Sequence, residues 1–369
     1  GNTMTTRRNF LKGGTAAATG IVFCSCGLLQ SAHAQPAGSR TLPVSIGGKR
    51  VKTIDVHAHC HFREAGALLP ADQAAAAQLP PVNGAAEAFI EIDKRLAAMD
   101  AQAVDMEVLS INPFWYGRER DLAAQIVKVQ NEKLAELCAS KPDRFAAFAS
   151  LTLQAPDLAV TELETAVRKQ GLKGAAIGGM VNGVEFSDTR FHPVWAKAEE
   201  LGVPLFIHPQ GVGELSKRLS GNGWLGNTIG NPLETTIALS HLIFEGTLDK
   251  FPGLKVIAAH GGGYLPSYAD RSDHACMVGP RGCNADVKLK KKPTEYLKQL
   301  YFDSLIFSPE AIRHLAAQVG ASQIVLGSDY PYPWQLKPVD HIFASASLSD
   351  EEKANVLGNT AARLLNIKA

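Results

Sequence analysis

Two histidines one residue apart, His57 and His59, close a short apolar run written Asp55-Val56-His57-Ala58-His59. Three more polar residues end similar runs. His208 does so in Leu205-Phe206-Ile207-His208-Pro209, His260 in Ile257-Ala258-Ala259-His260-Gly261-Gly262-Gly263, and Asp329 in Leu326-Gly327-Ser328-Asp329-Tyr330-Pro331. In a β-strand, residues two apart share a face, so both imidazoles of the first run point the same way. Imidazoles joined by one carboxylate form a donor set for Zn²⁺, Mn²⁺ or Fe²⁺, with a position left open for water or substrate. A lone histidine at such a place is usually a packed core residue. Four histidines and an aspartate, all at strand ends and none at strand starts, point to a metal site. Of the other histidines, His61 lies beyond its strand in the loop, and His241 sits on a helix in a structural role. His33 falls in an N-terminal signal, and His192, His274, His314 and His341 mark helix starts or surfaces.

The elements that must position these residues alternate along the chain. Eight continuous aliphatic runs read as strands buried on both faces: Thr53–His59, Val104–Ser110, Phe145–Leu151, Ala175–Gly178, Val203–Pro209, Lys255–Gly261, Leu300–Leu305 and Ile324–Tyr330. Between them, helical periodicity covers Leu122–Ser140, Asp157–Gln170, Pro193–Leu201, Leu233–Lys250 and Pro309–Val319, with Asp350–Leu365 closing the chain. Pro156, Pro193 and Pro309 stand at helix starts, and Gly171 and Gly202 at helix ends. Eight strand–helix units predict an α/β fold of the (β/α)₈ barrel type, whose chemistry sits where the strands end. A doubly wound sheet is the alternative, but no Gly-rich phosphate turn follows the first strand. The stretch from Phe62 to Asp93 is long for a βα connection and reads as a lid insertion.

Composition narrows the function classes. Of 369 residues, 46% are hydrophobic and 20% charged, which is globular and leaves out coiled-coil, collagen-like and disordered chains. Lys+Arg 37 against Asp+Glu 36 gives a net charge of +1, removing the electrostatic case for a nucleic-acid or anionic-membrane binder. The order of basic Arg7-Arg8-Asn9-Phe10-Leu11-Lys12, apolar Gly13–Leu29 and small Ala32-His33-Ala34 reads as an export signal spanning 1–34. Its paired arginines resemble a bacterial twin-arginine signal, which implies a periplasmic protein with no membrane anchor after cleavage. Residues 35–369 are expected to form the barrel domain. Six cysteines are too sparse for a disulfide framework, although Cys276 and Cys283 are close enough in sequence to pair or to remain thiols.

The ordered set of motifs resembles the amidohydrolase superfamily. More narrowly, it is similar to the branch of metal-dependent decarboxylases related to 2-amino-3-carboxymuconate-6-semialdehyde decarboxylase, from about Ile54 to Ile367. The resemblance is densest at Met99-Asp100-Ala101-Gln102, Glu234–Phe251, His260–Arg271, Tyr301–Ser304 and Val325–Pro333. It implies that His57, His59, His208 and Asp329 hold one divalent metal, Zn²⁺ first, with Mn²⁺ or Fe²⁺ as alternatives. Two-metal relatives add a lysine after the fourth strand, and Ala175-Ala176-Ile177-Gly178-Gly179 has none. His260 becomes the acid/base that handles the proton of metal-bound water, with Asp329 beside it. Arg271 corresponds to an arginine that binds a substrate carboxylate, in some members that of the adjacent subunit, which implies a homodimer; a guanidinium suits this job through its planar fork. Phe114 and Trp115 are candidates for an aromatic wall against a flat substrate.

Two departures separate the chain from that decarboxylase. Arg63 is the only arginine between Phe62 and Asp93, and it does not match the family's lid arginine. Gln210-Gly211-Val212-Gly213 stands where an aromatic residue is expected. The expected activity is therefore a carboxy-lyase for an aromatic or dienoic carboxylate, a small-molecule substrate. The same site would serve a hydrolase or hydratase of an ester, lactone, amide or unsaturated acid. A non-catalytic binder of a metal or carboxylate is the third reading.

Overall fold

A computed structural model describes residues 39–77, 79, 86–278 and 286–369. The expected export signal, with Arg7, Arg8, Cys24, Cys26 and His33, lies outside the described residues, as do Cys283 and part of the Phe62–Asp93 stretch. After a two-stranded hairpin, Val44–Ile46 with Lys49–Val51, come the strands β1 (Ile54–His59), β2 (Met106–Ser110), β3 (Phe145–Ala147), β4 (Ala175–Ile177), β5 (Pro204–Ile207), β6 (Lys255–Ala258), β7 (Leu300–Asp303) and β8 (Ile324–Val325). β1 to β3 form one parallel sheet and β4 to β8 another. The two meet at both seams. Ala149 bridges to Ala175 on one side, and Ala58 bridges to Tyr330 on the other. At the second seam Val56 N donates to Leu326 O, Asp329 N to His57 O and His59 N to Tyr330 O, at 2.7–2.9 Å. The result is the (β/α)₈ barrel that the strand–helix rhythm predicts.

The helices packed outside include α1 (Ile92–Gln102), α2 (Arg120–Ser140), α3 (Pro156–Arg168), α4 (His192–Leu201), α5 (Asn231–Phe244), α6 (Ala269–Val278) and α7 (Pro309–Val319). Pro156, Pro193 and Pro309 do occupy first-turn positions, where the missing N–H has no intrahelical partner to lose. Three expectations need correction. The strands are shorter than their aliphatic runs, because the residues at their ends leave the ladder to build loops. The single helix expected over Leu233–Lys250 is broken, since Gly246 at φ +79° separates α5 from the short helix Thr247–Lys250. The closing helix is interrupted by a wider π turn at Asn355–Asn359. Helices α1 and α6 carry only weak amphipathic patterns, and the sequence periodicity does not reveal them.

Inside the barrel, Val56, Val108, Phe148, Phe206, Ile257 and Val325 form one fully buried cluster. Phe206 is stacked on Phe148 at 5.5 Å and meets the His57 ring edge-on at 5.3 Å, so the apolar core is the floor on which the polar cluster stands. Burying a ring this size is worth roughly 1.5–3 kcal/mol, which fixes that floor firmly. Among the described residues no helix is long and apolar enough to cross a membrane.

Candidate metal centre

His57, His59, His208 and Asp329 are all buried, and one donor atom from each lies within 4.8 Å of the others. His57 Nε2 and His59 Nε2 are 3.1 Å apart, and Asp329 Oδ1 lies 3.0 and 2.8 Å from them. Nitrogen ligands held ~2.1 Å from a shared cation lie roughly 3.0–3.4 Å from each other, so this spacing suits a metal. His208 Nε2 stands 4.0 Å from the same oxygen. Both ring nitrogens of His208 are buried without a hydrogen-bond partner. Leaving such atoms unpaired is costly, and a cation beside Asp329 Oδ1 would satisfy His208 Nε2. The residues fit one divalent metal with N and O donors; β4 runs into Gly178-Gly179 and offers no second carboxylate or lysine.

The surroundings aim these donors. Asp303, at the end of β7, accepts from His57 Nδ1 at 2.6 Å and turns Nε2 toward the cluster. Gly327 makes that approach possible, because a Cβ there would lie 2.9 Å from Asp303 Cβ and 3.0 Å from His57 Cβ. Ser110 Oγ lies 3.3 Å from His59 Nδ1. Beneath, Asp55 accepts from the backbone N–H of His57 and Ser328 and from the Ser328 hydroxyl. Arg95 pairs with Glu107 at 2.6 Å and donates to the carbonyl of His59, gripping the strand at the ligand. Asp329 itself sits at φ +67°, a left-handed conformation uncommon for any residue but glycine.

Electrostatics follow from this packing. Burial disfavours charge on His57, but Asp329 and Asp303 on either side outweigh it and lift the ring to about 10. Burial, with the imidazoles of His59 and His57, drives His208 well below its usual value despite Asp329. Burial also lowers His59. Asp329 is buried as well, yet the charge of His57 and hydrogen bonds from His260, His57 and His59 hold it well below the usual carboxylate range. Burial and the carboxylates thus pull the imidazoles apart, His57 upward and His59 and His208 downward.

His260 follows β6 at φ +54°, ahead of Gly261, Gly262 and Gly263, which are all left-handed; a Cβ on Gly262 would meet the Phe302 ring at 2.5 Å. Its Nε2 is 3.6 Å from Asp329 Oδ2, and its backbone N–H donates to Asp303. Above the cluster opens a cavity of about 410 Å³, with His59, His208 and Asp329 at its base and Phe89, Phe114 and Tyr332 on its walls. Asn112, Gln210, Asn227 and Asn231 supply neutral polar groups, and among the described residues none lining the cavity is Arg or Lys. Ala76, Ala77, Leu79 and Phe89, from the Phe62–Asp93 stretch, contribute to the same cavity.

Of the residues named from sequence, the structure brings together His57, His59, His208, His260, Asp329 and Phe114. Trp115 does not reach the cavity; it is fully buried behind Phe114, its indole N–H given to Leu151 O. His61, expected in the loop, lines the cavity wall. Arg271 is exposed on α6, outside this cavity and beside Thr236, Ser240 and Tyr268. Sequence reasoning missed Asp303, although it ends a strand like the others, and Glu234. The Glu234 carboxylate accepts from Gln210 N at 3.1 Å, and Gly179 lies so close that a Cβ there would be 2.1 Å from it. Cys276 is in a disulfide whose partner lies outside the described residues.

Comparison with known proteins places this geometry. Residues 54–367 match the amidohydrolase family. The chain is 32% identical over 278 residues to 2-amino-3-carboxymuconate-6-semialdehyde decarboxylase of Dictyostelium discoideum, covering 74% of this chain and 76% of that one. It is 30% identical over 294 residues to gamma-resorcylate decarboxylase of Rhodococcus jostii, covering 74% and 87%. Among solved structures, 2,6-dihydroxybenzoate decarboxylase from Rhizobium superposes with TM-score 0.75 at 26% identity, over 86% of this chain and 100% of that one. The chain belongs to the amidohydrolase family.

Proposed function

We propose that this member of the amidohydrolase family is a metal-dependent carboxy-lyase that removes CO₂ from an aromatic or dienoic carboxylate. What carries the proposal is a buried donor set for one metal that opens into an aromatic-walled cavity, in a chain whose relatives are decarboxylases. Held by His57, His59, His208 and Asp329, the cation, Zn²⁺ in this proposal, supplies Lewis-acid polarisation of a substrate oxygen. The protein's own residues do the rest. Phe114 and Tyr332 lie along a flat substrate, and the amides of Asn112 and Gln210 offer neutral hydrogen bonds to its substituents. His260, with Nε2 3.6 Å from Asp329 Oδ2, handles the proton delivered to the carbon that loses CO₂. Arg271, exposed on α6, is free to serve the carboxylate of a substrate in a second copy, which makes the working unit a homodimer. Export by the twin-arginine route to the periplasm belongs to the same proposal and is supported by Arg7-Arg8 in its basic–apolar order.

The test is product mass with metal-loaded and metal-stripped protein on aromatic and dienoic acids. Metal-dependent loss of CO₂ is expected, and His260→Ala should lower kcat by about 10²–10⁴-fold with metal content unchanged. Addition of water to a substrate would place the protein among hydrolases or hydratases. Full activity of His260→Ala would remove His260 from the chemistry.

A further inference from the structure

We propose that Trp224 and Trp334 form an aromatic gate over the metal cavity that selects planar aryl acids. Trp224 comes from the connection after β5 and Trp334 from the one after β8, three strands away around the barrel. Their rings nevertheless stack, with centroids 5.4 Å apart and planes within 16°, and both line the cavity. Phe307, itself 53% exposed, flanks Trp334 at 6.1 Å.

The other two tryptophans show what a structural indole looks like in this protein. Trp115 and Trp195 are buried, and each gives its N–H to a backbone carbonyl at 2.8 Å. Trp224 is 58% exposed, and among the described residues neither it nor Trp334 donates its indole N–H to the protein. Stacking is therefore what holds the pair together. Trp224 sits at φ +51°, unusual for so bulky a residue, and its carbonyl accepts from the backbone N–H groups of Asn227 and Thr228, so the stack opens by rotation of the side chains.

A planar ring entering the cavity replaces one stacked partner with another, so opening the pair is compensated. A puckered ring must open the same stack and regains nothing. Aromatic pairs of this kind correspond to roughly twofold to tenfold in an equilibrium constant. The gate rests on the carboxy-lyase proposal only for what happens beyond it, because admission is read as a ratio of Kd values rather than as turnover.

Titrating the metal-loaded full chain with 2,6-dihydroxybenzoate and with cyclohexanecarboxylate, followed by tryptophan fluorescence and calorimetry, gives the planar-over-puckered preference as a ratio of Kd values. In Trp224→Ala and Trp334→Ala that ratio should fall about threefold to tenfold, while Trp224→Phe and Trp334→Phe keep most of it. An unchanged ratio in both alanine variants overturns the gate, and so does failure of the wild-type chain to prefer the planar acid. A Trp224→Ala chain that changes its sedimentation from dimer to monomer also overturns it, because the pair would then be a contact between copies. Tight planar binding with no CO₂ released leaves the gate standing and removes the carboxy-lyase proposal.

Discussion

Among the described residues stand two clusters of histidines and carboxylates, and one of them has the geometry of a metal centre. At the barrel rim, His57, His59, His208 and Asp329 are buried, and their donors meet at 2.8–4.0 Å. In an outer cleft beside α4 and α5, His192 and His241 stand among Glu185, Asp188 and Glu245. There His241 is 39% exposed and reaches Glu185 and Glu245 only at 3.9 Å on either side. The residue types are the same, and the difference is mechanical. Strand ends cannot swing, and burial strips the donors of water, so desolvation has already been met before a cation arrives. In the cleft, mobile side chains would have to be gathered and dehydrated together, and water serves them as well.

The sharpest way to break this contrast is to delete one histidine from each cluster. His208→Ala should take bound metal from one ion per chain to nearly none and lower activity roughly 10³-fold or more. His241→Ala should leave both unchanged. Metal analysis of the purified variants decides, and a His241→Ala chain that loses its ion would make the two clusters equivalent. A smaller effect isolates the part played by orientation. Asp303→Asn keeps a partner for His57 Nδ1 but weakens the hold on the ring, and metal affinity measured against a competing chelator should fall about 10–100-fold. An unchanged affinity would mean that the strand backbone alone aims His57.

The smallest expected effect concerns Glu234, buried behind Gln210. Burial, with backbone N–H groups of Gln210 and Gly179 opposing it, raises this carboxyl to about 7 from an ordinary value near 4.5. A raised carboxyl binds its proton more tightly in the folded state. Its contribution is complete below pH ~4.5 and declines as pH rises through about 7, an effect of roughly 1–3 kcal/mol. Glu234→Gln should flatten that part of the stability–pH profile in denaturant titrations. An identical slope in wild type and variant would show that the carboxyl is not perturbed.

Much of this was legible because strand ends are local. His57 and His59 sit two apart in an apolar run, and His208, His260 and Asp329 repeat the position, so the cluster needed no tertiary knowledge, and the family resemblance divided it into four ligands and His260. Asp303 obeys the same rule but lies in Tyr301-Phe302-Asp303-Ser304, without a second histidine or carboxylate to draw the eye. Trp115 and Phe114 are neighbours in sequence, and only the packing of β3 against β2 decides which of them faces the cavity. The stack of Trp224 on Trp334 is invisible in one dimension, since its halves stand 110 positions apart. Helix α6 and the interruption of the closing helix depend on contacts whose pattern is not periodic.

The seam between β1 and β8 runs through the centre itself. His57 gives its carbonyl to the Asp329 N–H, His59 gives its N–H to Tyr330, and the Ala58–Tyr330 bridge lies between them. His57 and His59 thus belong to one sheet, His208 and His260 extend from the other, and Asp329 is the stitch. Closing the barrel and assembling the ligands are therefore a single act of folding. A change at Ala58, which touches no cation, would be read out as lost catalysis, because the register of the seam is also the gauge of the metal site.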